Sequence, residues 1–407
     1  MLMQNEPVVM EESVRDLPVG ISAFGSIRNR NLLYADKTDL LYAMLKKYSR
    51  ICISRPHRFG KSLLLSTLEA LFSGQTELFK DLKIEKLWTD TNTYRIVALD
   101  FSEVQYKNTA AEMQARFNEL LITGFENAGF VYKENSMSLI SQLSSWLYKQ
   151  DGDIVLLIDE YDAPLVSNMH NDGLFNFARQ MTAEFFATVK ARDKAFRLVF
   201  MTGTAKFARA GVFSGMNHLQ DISLMPEFGT LLGYTEAELR QYFGWYLEQS
   251  ARVRQETVQE LLDNMRRMYG GFCFDNRAET HVFAPWSVLC FLSDSSGMLD
   301  NYWFDSGNLS VIRSLMRAGV LAKPEMSQGE CTVSLKELQG SHSVEDVNAA
   351  ALMFYAGCLT IKDVDRNGAT ATLAYPNKEV AFSAEMGRVQ QAHVYPDSNQ
   401  SMCKSNV

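Results

Sequence analysis

The sequence predicts an α/β protein with a parallel sheet flanked by helices, followed by a helical module and a smaller mixed C-terminal part. Three observations carry this. Continuous apolar runs of strand length at residues 94–100, 153–160 and 196–203 alternate with helical periodicity, the pattern of a sheet covered on both faces. The β-prone run Arg50-Ile51-Cys52-Ile53-Ser54 leads through a glycine-bearing loop into an amphipathic helix. Beyond about residue 230 the pattern turns helical, opening on a capping box.

Composition sets the class. The 407 residues suffice for two or three domains, and 46% apolar with 22% charged residues is ordinary for a soluble globular chain. A formal charge of −8 argues against coating nucleic acid by bulk charge and leaves only a local basic groove for it. No apolar run approaches the ~20 residues of a membrane-spanning helix. The acidic N-terminus lacks a signal-peptide layout, and the six cysteines form no C-x-x-C pair. Nor do the six histidines show ligand spacing. A cytoplasmic protein with reduced thiols and no membrane association is expected.

In order along the chain, residues 1–15 read as a tail and 16–230 as the sheet domain. Its lead-in holds Leu17-Pro18-Val19-Gly20, Tyr34-Ala35-Asp36-Lys37-Thr38 and a helical pattern through Leu40, Leu41, Met44 and Leu45. After the 50–54 strand, Leu64, Leu68, Leu71 and Phe72 mark one apolar helix face. Strands at 94–100, 153–160 and 196–203 follow, with helices near 109–127 and 175–192 between them. Residues 231–300 form a helical, lid-like module: Thr235-Glu236-Ala237-Glu238 caps one helix, Gly270-Gly271 ends a second, and Pro285 opens a third. Within 301–384, a helix at 347–356 and β-prone runs at 359–364 and 371–375 have the order of a winged-helix element. Residues 385–407 are polar and aperiodic and are expected to be disordered.

The chemistry centres on Arg55-Pro56-His57-Arg58-Phe59-Gly60-Lys61-Ser62. Gly60 lets backbone amides approach phosphates, Lys61 neutralises β/γ oxygens, and the Ser62 hydroxyl suits Mg²⁺. The usual G-x-x-x-x-G-K-[ST] spacing asks for a glycine at position 55, where Arg55 stands. Downstream, Asp159 and Glu160 end an apolar strand at the sheet edge where α/β ligands bind. Asp159 there can hold Mg²⁺ as a Walker B acid does, and Glu160 can polarise an attacking water. Alone, the two acids are as readily a helix cap; paired with Gly60-Lys61-Ser62 they favour a nucleotide site. Thr202, with Thr204 next, ends the adjacent strand and either senses the γ-phosphate or bonds its own backbone. Arg209 and Arg58 are candidates for the arginine that phosphoryl transfer needs, or are solvated surface residues. Arg55 and Arg58 could also contact phosphates or shape the loop, and His57 reads as a packing or hydrogen-bonding residue.

With these residues in place, the chain resembles the AAA-ATPase-like proteins of bacteria and other microbes, whose loop reads R-P-x-R-F-G-K-[ST]. Further matching blocks are Leu17-Pro18-Val19-Gly20-Ile21, Tyr34-Ala35-Asp36-Lys37-Thr38, Ile158-Asp159-Glu160-Tyr161-Asp162 and Thr202-Gly203-Thr204. Phe213-Ser214-Gly215-Met216-Asn217, Pro285-Trp286-Ser287, Tyr302-Trp303 and Tyr375-Pro376-Asn377-Lys378-Glu379-Val380 extend the likeness across residues 14–380. Departures are Ala284, where an Asn often precedes Pro-Trp-Ser, and Gly270, where an Asp is common. The resemblance implies a P-loop NTPase fold of the ASCE type and an ATPase using ATP and Mg²⁺. A nucleotide-dependent switch or scaffold with little hydrolysis is the alternative. Many relatives continue into a restriction-endonuclease-like domain; no spaced acid-acid-lysine core follows here, so nuclease activity is not expected. The expected partner is nucleotide, with a homo-oligomer or protein partner supplying an arginine in trans; nucleic acid is unsupported by charge.

Overall fold

The computed structural model describes residues 14–105, 108–134, 136–204, 219–303, 329–339 and 348–383. Helices α1 (Phe24–Asn29) and α2 (Thr38–Lys47) precede strand β1 (Arg50–Ser54) and helix α3 (Lys61–Phe72). Then come β2 (Arg95–Asp100), α4 (Ala110–Glu126), α5 (Leu139–Leu147), β3 (Ile154–Asp159), α6 (Ala163–Val166) and α7 (Asp172–Ala191). Strands β4 (Phe196–Gly203) and β5 (Gln220–Asp221) complete a five-stranded parallel sheet in the order β2-β3-β4-β1-β5. This is a P-loop NTPase-like α/β fold. The loop-bearing strand β1 and the acid-bearing strand β3 are separated by β4, and the register aligns Ser54 with Gly203, and Asp100 with Asp159. The ends of these strands, with Gly60-Lys61-Ser62 after β1, Asp159 and Glu160 at β3 and Thr202 on β4, therefore lie along one C-terminal edge of the sheet.

Period-2 alternation divides the core. Ile51, Ile53, Val155, Leu157, Leu198 and Phe200 pack on one face with α2 and α3. Cys52, Leu156, Ile158, Val199 and Met201 pack on the other with Phe117, Phe125 and Phe185 from α4 and α7. Burying each such apolar side chain is worth roughly 1.5–3 kcal/mol. Strands β1, β3 and β4 are almost wholly buried; β2 lies at the sheet edge, and its Ala98 is exposed.

The helical module holds α8 (Glu236–Arg254), α9 (Val258–Tyr269) and α10 (Pro285–Ser293). Both α8 and α9 open on capping boxes, Thr235 with Glu238 and Thr257 with Glu260, and Pro285 is the first residue of α10. Their apolar faces close a third core that includes Leu33 from the lead-in. The C-terminal part contains β6 (Glu330–Ser334), α11 (Leu335–Gln339), α12 (Ala349–Tyr355), β7 (Thr360–Asp365) and β8 (Thr370–Ala374). Its strands form an antiparallel sheet in the order β6-β8-β7. Arg209, the block Phe213 to Asn217 and the 385–407 tail lie outside the described residues. Among the described residues, no helix is long and apolar enough to cross a membrane.

Candidate nucleotide site

The loop after β1 turns into α3 through Gly60, whose φ of +94° favours glycine, and Arg58 also lies in the left-handed region at φ +64°. This turn presents the N-terminus of α3, with its free amides and positive dipole end, to the sheet edge. Lys61 is the first residue of α3 and is only 4% exposed. Its ammonium donates to the loop's own carbonyls, Arg55 O at 3.2 Å and Pro56 O at 3.2 Å. An incoming phosphate would compete for those hydrogens.

Two hydrogen-bonded chains cross the edge. In the first, Ser62 Oγ donates to Asp159 Oδ2 at 2.6 Å, and Thr202 Oγ1 donates to Asp159 Oδ1. Residues 97 apart in sequence thus meet as a hydroxyl–carboxylate pair, held from the intervening strand β4. In the second, His57 Nδ1 lies 3.1 Å from Glu160 Oε1, His57 Nε2 lies 3.4 Å from Thr204 Oγ1, and Lys61 Nζ reaches the same hydroxyl at 3.5 Å. Asp162 fixes the Thr204 amide at 3.1 and 3.2 Å. A Cβ on Gly203 would sit 2.5 Å from the Tyr161 ring and 2.6 Å from Asp162 Oδ1, so only glycine lets these two strand ends approach.

Electrostatics at the edge follow from these contacts. Burial works to raise the Glu160 carboxyl, but the His57 hydrogen bond and the Lys61 charge outweigh it and hold it at about 2. Burial, with the Asp159 and Glu160 charges, pushes the Asp100 carboxyl up.

A cavity of about 690 Å³ opens over the loop. The loop contributes His57, Arg58, Phe59, Gly60, Lys61 and Ser62 to its wall, beside Glu160 and Thr204. The wall also includes groups that sequence reasoning left without a role: Pro18 and Ile21 of the lead-in, Tyr34, Leu232 and Tyr234. Lys37 and Glu238 were missed likewise. Lys37 Nζ donates to Thr230 O at 2.7 Å and to Glu238 Oε1 at 2.6 Å, joining the lead-in to the first turn of α8. The recurring Tyr34-to-Thr38 block was the available signal, but nothing in it names a partner 201 residues away.

Arg55 differs from the expected phosphate contact. Its side chain is fully buried behind the loop, donating to Ser54 O at 2.9 Å, Ser223 O at 2.7 Å and Phe228 O at 3.2 Å, with the Phe274 ring at 4.3 Å. Pro56 also lies behind the cavity, where it approaches Gly357. Phe59 packs edge-on against Phe272 and Phe274. The exposed Arg58 stacks on Trp286, in the first turn of α10, at 4.0 Å.

Comparison with known proteins gives two matches. Residues 18–213 match a family model described as "Predicted AAA-ATPase". A protein of Azotobacter chroococcum mcd 1, described as "Uncharacterized protein in vnfD 5'region", is 29% identical over 376 residues, covering 91% of this chain and 69% of that protein.

Proposed function

We propose that the chain, whose residues 18–213 match the AAA-ATPase-like family model, binds ATP with Mg²⁺ at the loop from His57 to Ser62 and hydrolyses it to ADP and phosphate. The observation that carries this reading is the 2.6 Å contact between Ser62 Oγ and Asp159 Oδ2, made where α3 begins and β3 ends. Hydroxyl and carboxylate oxygens are the hard donors Mg²⁺ takes alongside water and phosphate. When bound, the ion would neutralise charge on the β- and γ-phosphates.

The chain's own groups do the rest. Lys61 would exchange its loop carbonyls for phosphate oxygens, while the amides at the start of α3 receive the remaining charge. The apolar wall from Pro18 to Tyr234 suits the base. Glu160 would accept the proton of the attacking water, and Thr202 would hold Asp159 in place. Arg209, or an arginine from a second copy or a protein partner, would stabilise charge developing on the γ-phosphate. Closure of the helical module over the cavity, along the Lys37–Glu238 and Arg58–Trp286 contacts, would be the output. The strand–helix–helix–hairpin order at 330–374 supports reading the C-terminal part as a winged-helix element. One observation favours a slower, switch-like protein: Lys61 and Glu160 are both bonded to groups of the loop itself.

Calorimetric titration of ATP, with and without Mg²⁺, tests the assignment. Lys61→Ala should abolish binding, and tight binding by that variant would sink the reading. Glu160→Gln should bind ATP while phosphate release drops roughly 10²- to 10⁴-fold. Equal background rates in both proteins would select the switch.

A further inference from the structure

We propose that His57 is a positioning residue that holds the Glu160 carboxylate in a resting orientation and releases it when nucleotide engages Lys61. The inference rests on the ATPase reading above. His57 belongs to the loop after β1, whereas Glu160 follows β3, so their 3.1 Å contact spans the end of the intervening strand β4. Thr204, just beyond β4, is the hydroxyl they meet around: 3.4 Å from His57 Nε2 and 3.5 Å from Lys61 Nζ. One tautomer satisfies both sides of the imidazole. With the proton on Nδ1, His57 donates to the carboxylate and accepts from the Thr204 hydroxyl at Nε2. The amide of Thr204 is anchored on Asp162, so the threonine is a fixed post rather than a mobile one.

The chain Glu160–His57–Thr204–Lys61 has a consequence for turnover. A general base must have a free lone pair within hydrogen-bond reach of the water it activates. The Glu160 oxygen nearest the loop is taken by an imidazole N–H, and both side chains are only 23% exposed, so water competes weakly for that bond. Glu160 itself sits at φ +48°, a conformation that non-glycine residues keep only where surrounding contacts hold it. Lys61 is the member of the chain that phosphate reaches. Drawing its ammonium toward a phosphate removes it from Thr204, leaves the hydroxyl free to turn, and loosens the far end of the imidazole. Occupancy of the phosphate site is thereby reported to the base.

The test uses the full chain, with ATP affinity measured by calorimetry and phosphate release measured across ATP concentrations. His57→Ala should raise kcat, read at saturating ATP, roughly three- to ten-fold, the range one hydrogen bond commands. His57→Asn, which keeps an N–H donor near the Nδ1 position, should bring kcat back toward the wild-type value, a rescue that a merely structural role would not produce. Thr204→Val should shift kcat in the same direction as His57→Ala, by less. A kcat for His57→Ala at or below wild type, with ATP still bound, overturns the proposal; should that variant fail to fold, an unchanged kcat in Thr204→Val overturns it instead. Absence of ATP binding by the wild type is a distinct result, removing the ATPase reading and this proposal with it.

Discussion

Arg55 occupies the position where phosphate loops usually carry their first glycine, and in this fold it works as a bolt. Its guanidinium gathers the carbonyls of Ser54, Ser223 and Phe228 and lies over the Phe274 ring, tying the loop to the segment after β5 and to the module beyond α9. Burial pushes its pKa down to about 10, which still leaves it charged at neutral pH. A glycine there would take this donor from the Ser54, Ser223 and Phe228 carbonyls and open a cavity. Arg55→Gly is therefore expected to lose on the order of 3 kcal/mol of stability in urea unfolding, and a variant as stable as wild type would refute the bolt. Gly60, Lys61, Ser62, Asp159 and Glu160 were legible from sequence because their chemistry demands fixed residue types at strand ends. The destination of Arg55 was not, since its carbonyl partners lie 168 and 173 residues downstream and carry no side-chain signature. The His57–Glu160 and Lys37–Glu238 contacts stayed hidden for the same reason.

Among the elements, those with strong local codes were readable in advance. The capping box of α8, and Pro285 at the start of α10, announce themselves within four residues, whereas the Thr257–Glu260 box of α9 was passed over. Helix α1 has six residues and β5 two, too few to show a period. What no local pattern shows is that α12 presses on the nucleotide loop. The helix ends in a left-handed cap at Gly357, φ +80°, with the Cys358 amide donating to Met353 O at 2.8 Å. A Cβ at that glycine would fall 2.6 Å from the Trp303 ring and 2.8 Å from Pro56 Cγ. Gly357→Ala would thus strain the backbone and push directly on the loop. A loss of about 2 kcal/mol is expected, together with weaker ATP binding. Thermal melts and calorimetry measure the two effects, and an unchanged melting temperature would show that the contact yields freely.

At the scale of the whole molecule, the C-terminal part is woven into the body that carries the parallel sheet. The core on the α4/α7 face of the sheet continues through Phe59, Phe272 and Phe274 to Trp303 and Phe354. Polar ties reinforce it: Asn377 Nδ2 donates to Gly270 O at 2.8 Å, and the Cys273 amide donates to Thr360 Oγ1 at 2.7 Å. The knot of this arrangement is Glu379, just after β8, with 0% exposure. Its carboxyl accepts from the Tyr302 amide at 2.7 Å, the Trp303 amide at 2.8 Å and the Ser287 hydroxyl at 2.9 Å, so two separate stretches of chain converge on it. Burial, aided by the Asp300 charge, overrides those hydrogen bonds and raises its pKa from 4.5 to about 7. Between these values the folded chain holds a proton that the unfolded chain has lost, so stability falls as pH rises. The contribution of Glu379 is complete below pH 4.5 and fades as pH climbs through about 7. Glu379→Gln keeps an acceptor for the two amides but cannot ionise, so it should remove this slope. The melting temperature of the wild type relative to Glu379→Gln should accordingly fall between about pH 5 and about pH 8. A difference that stays constant across that range would mean that Glu379 remains ionised inside the fold, and that the junction between module and C-terminal part does not depend on its proton.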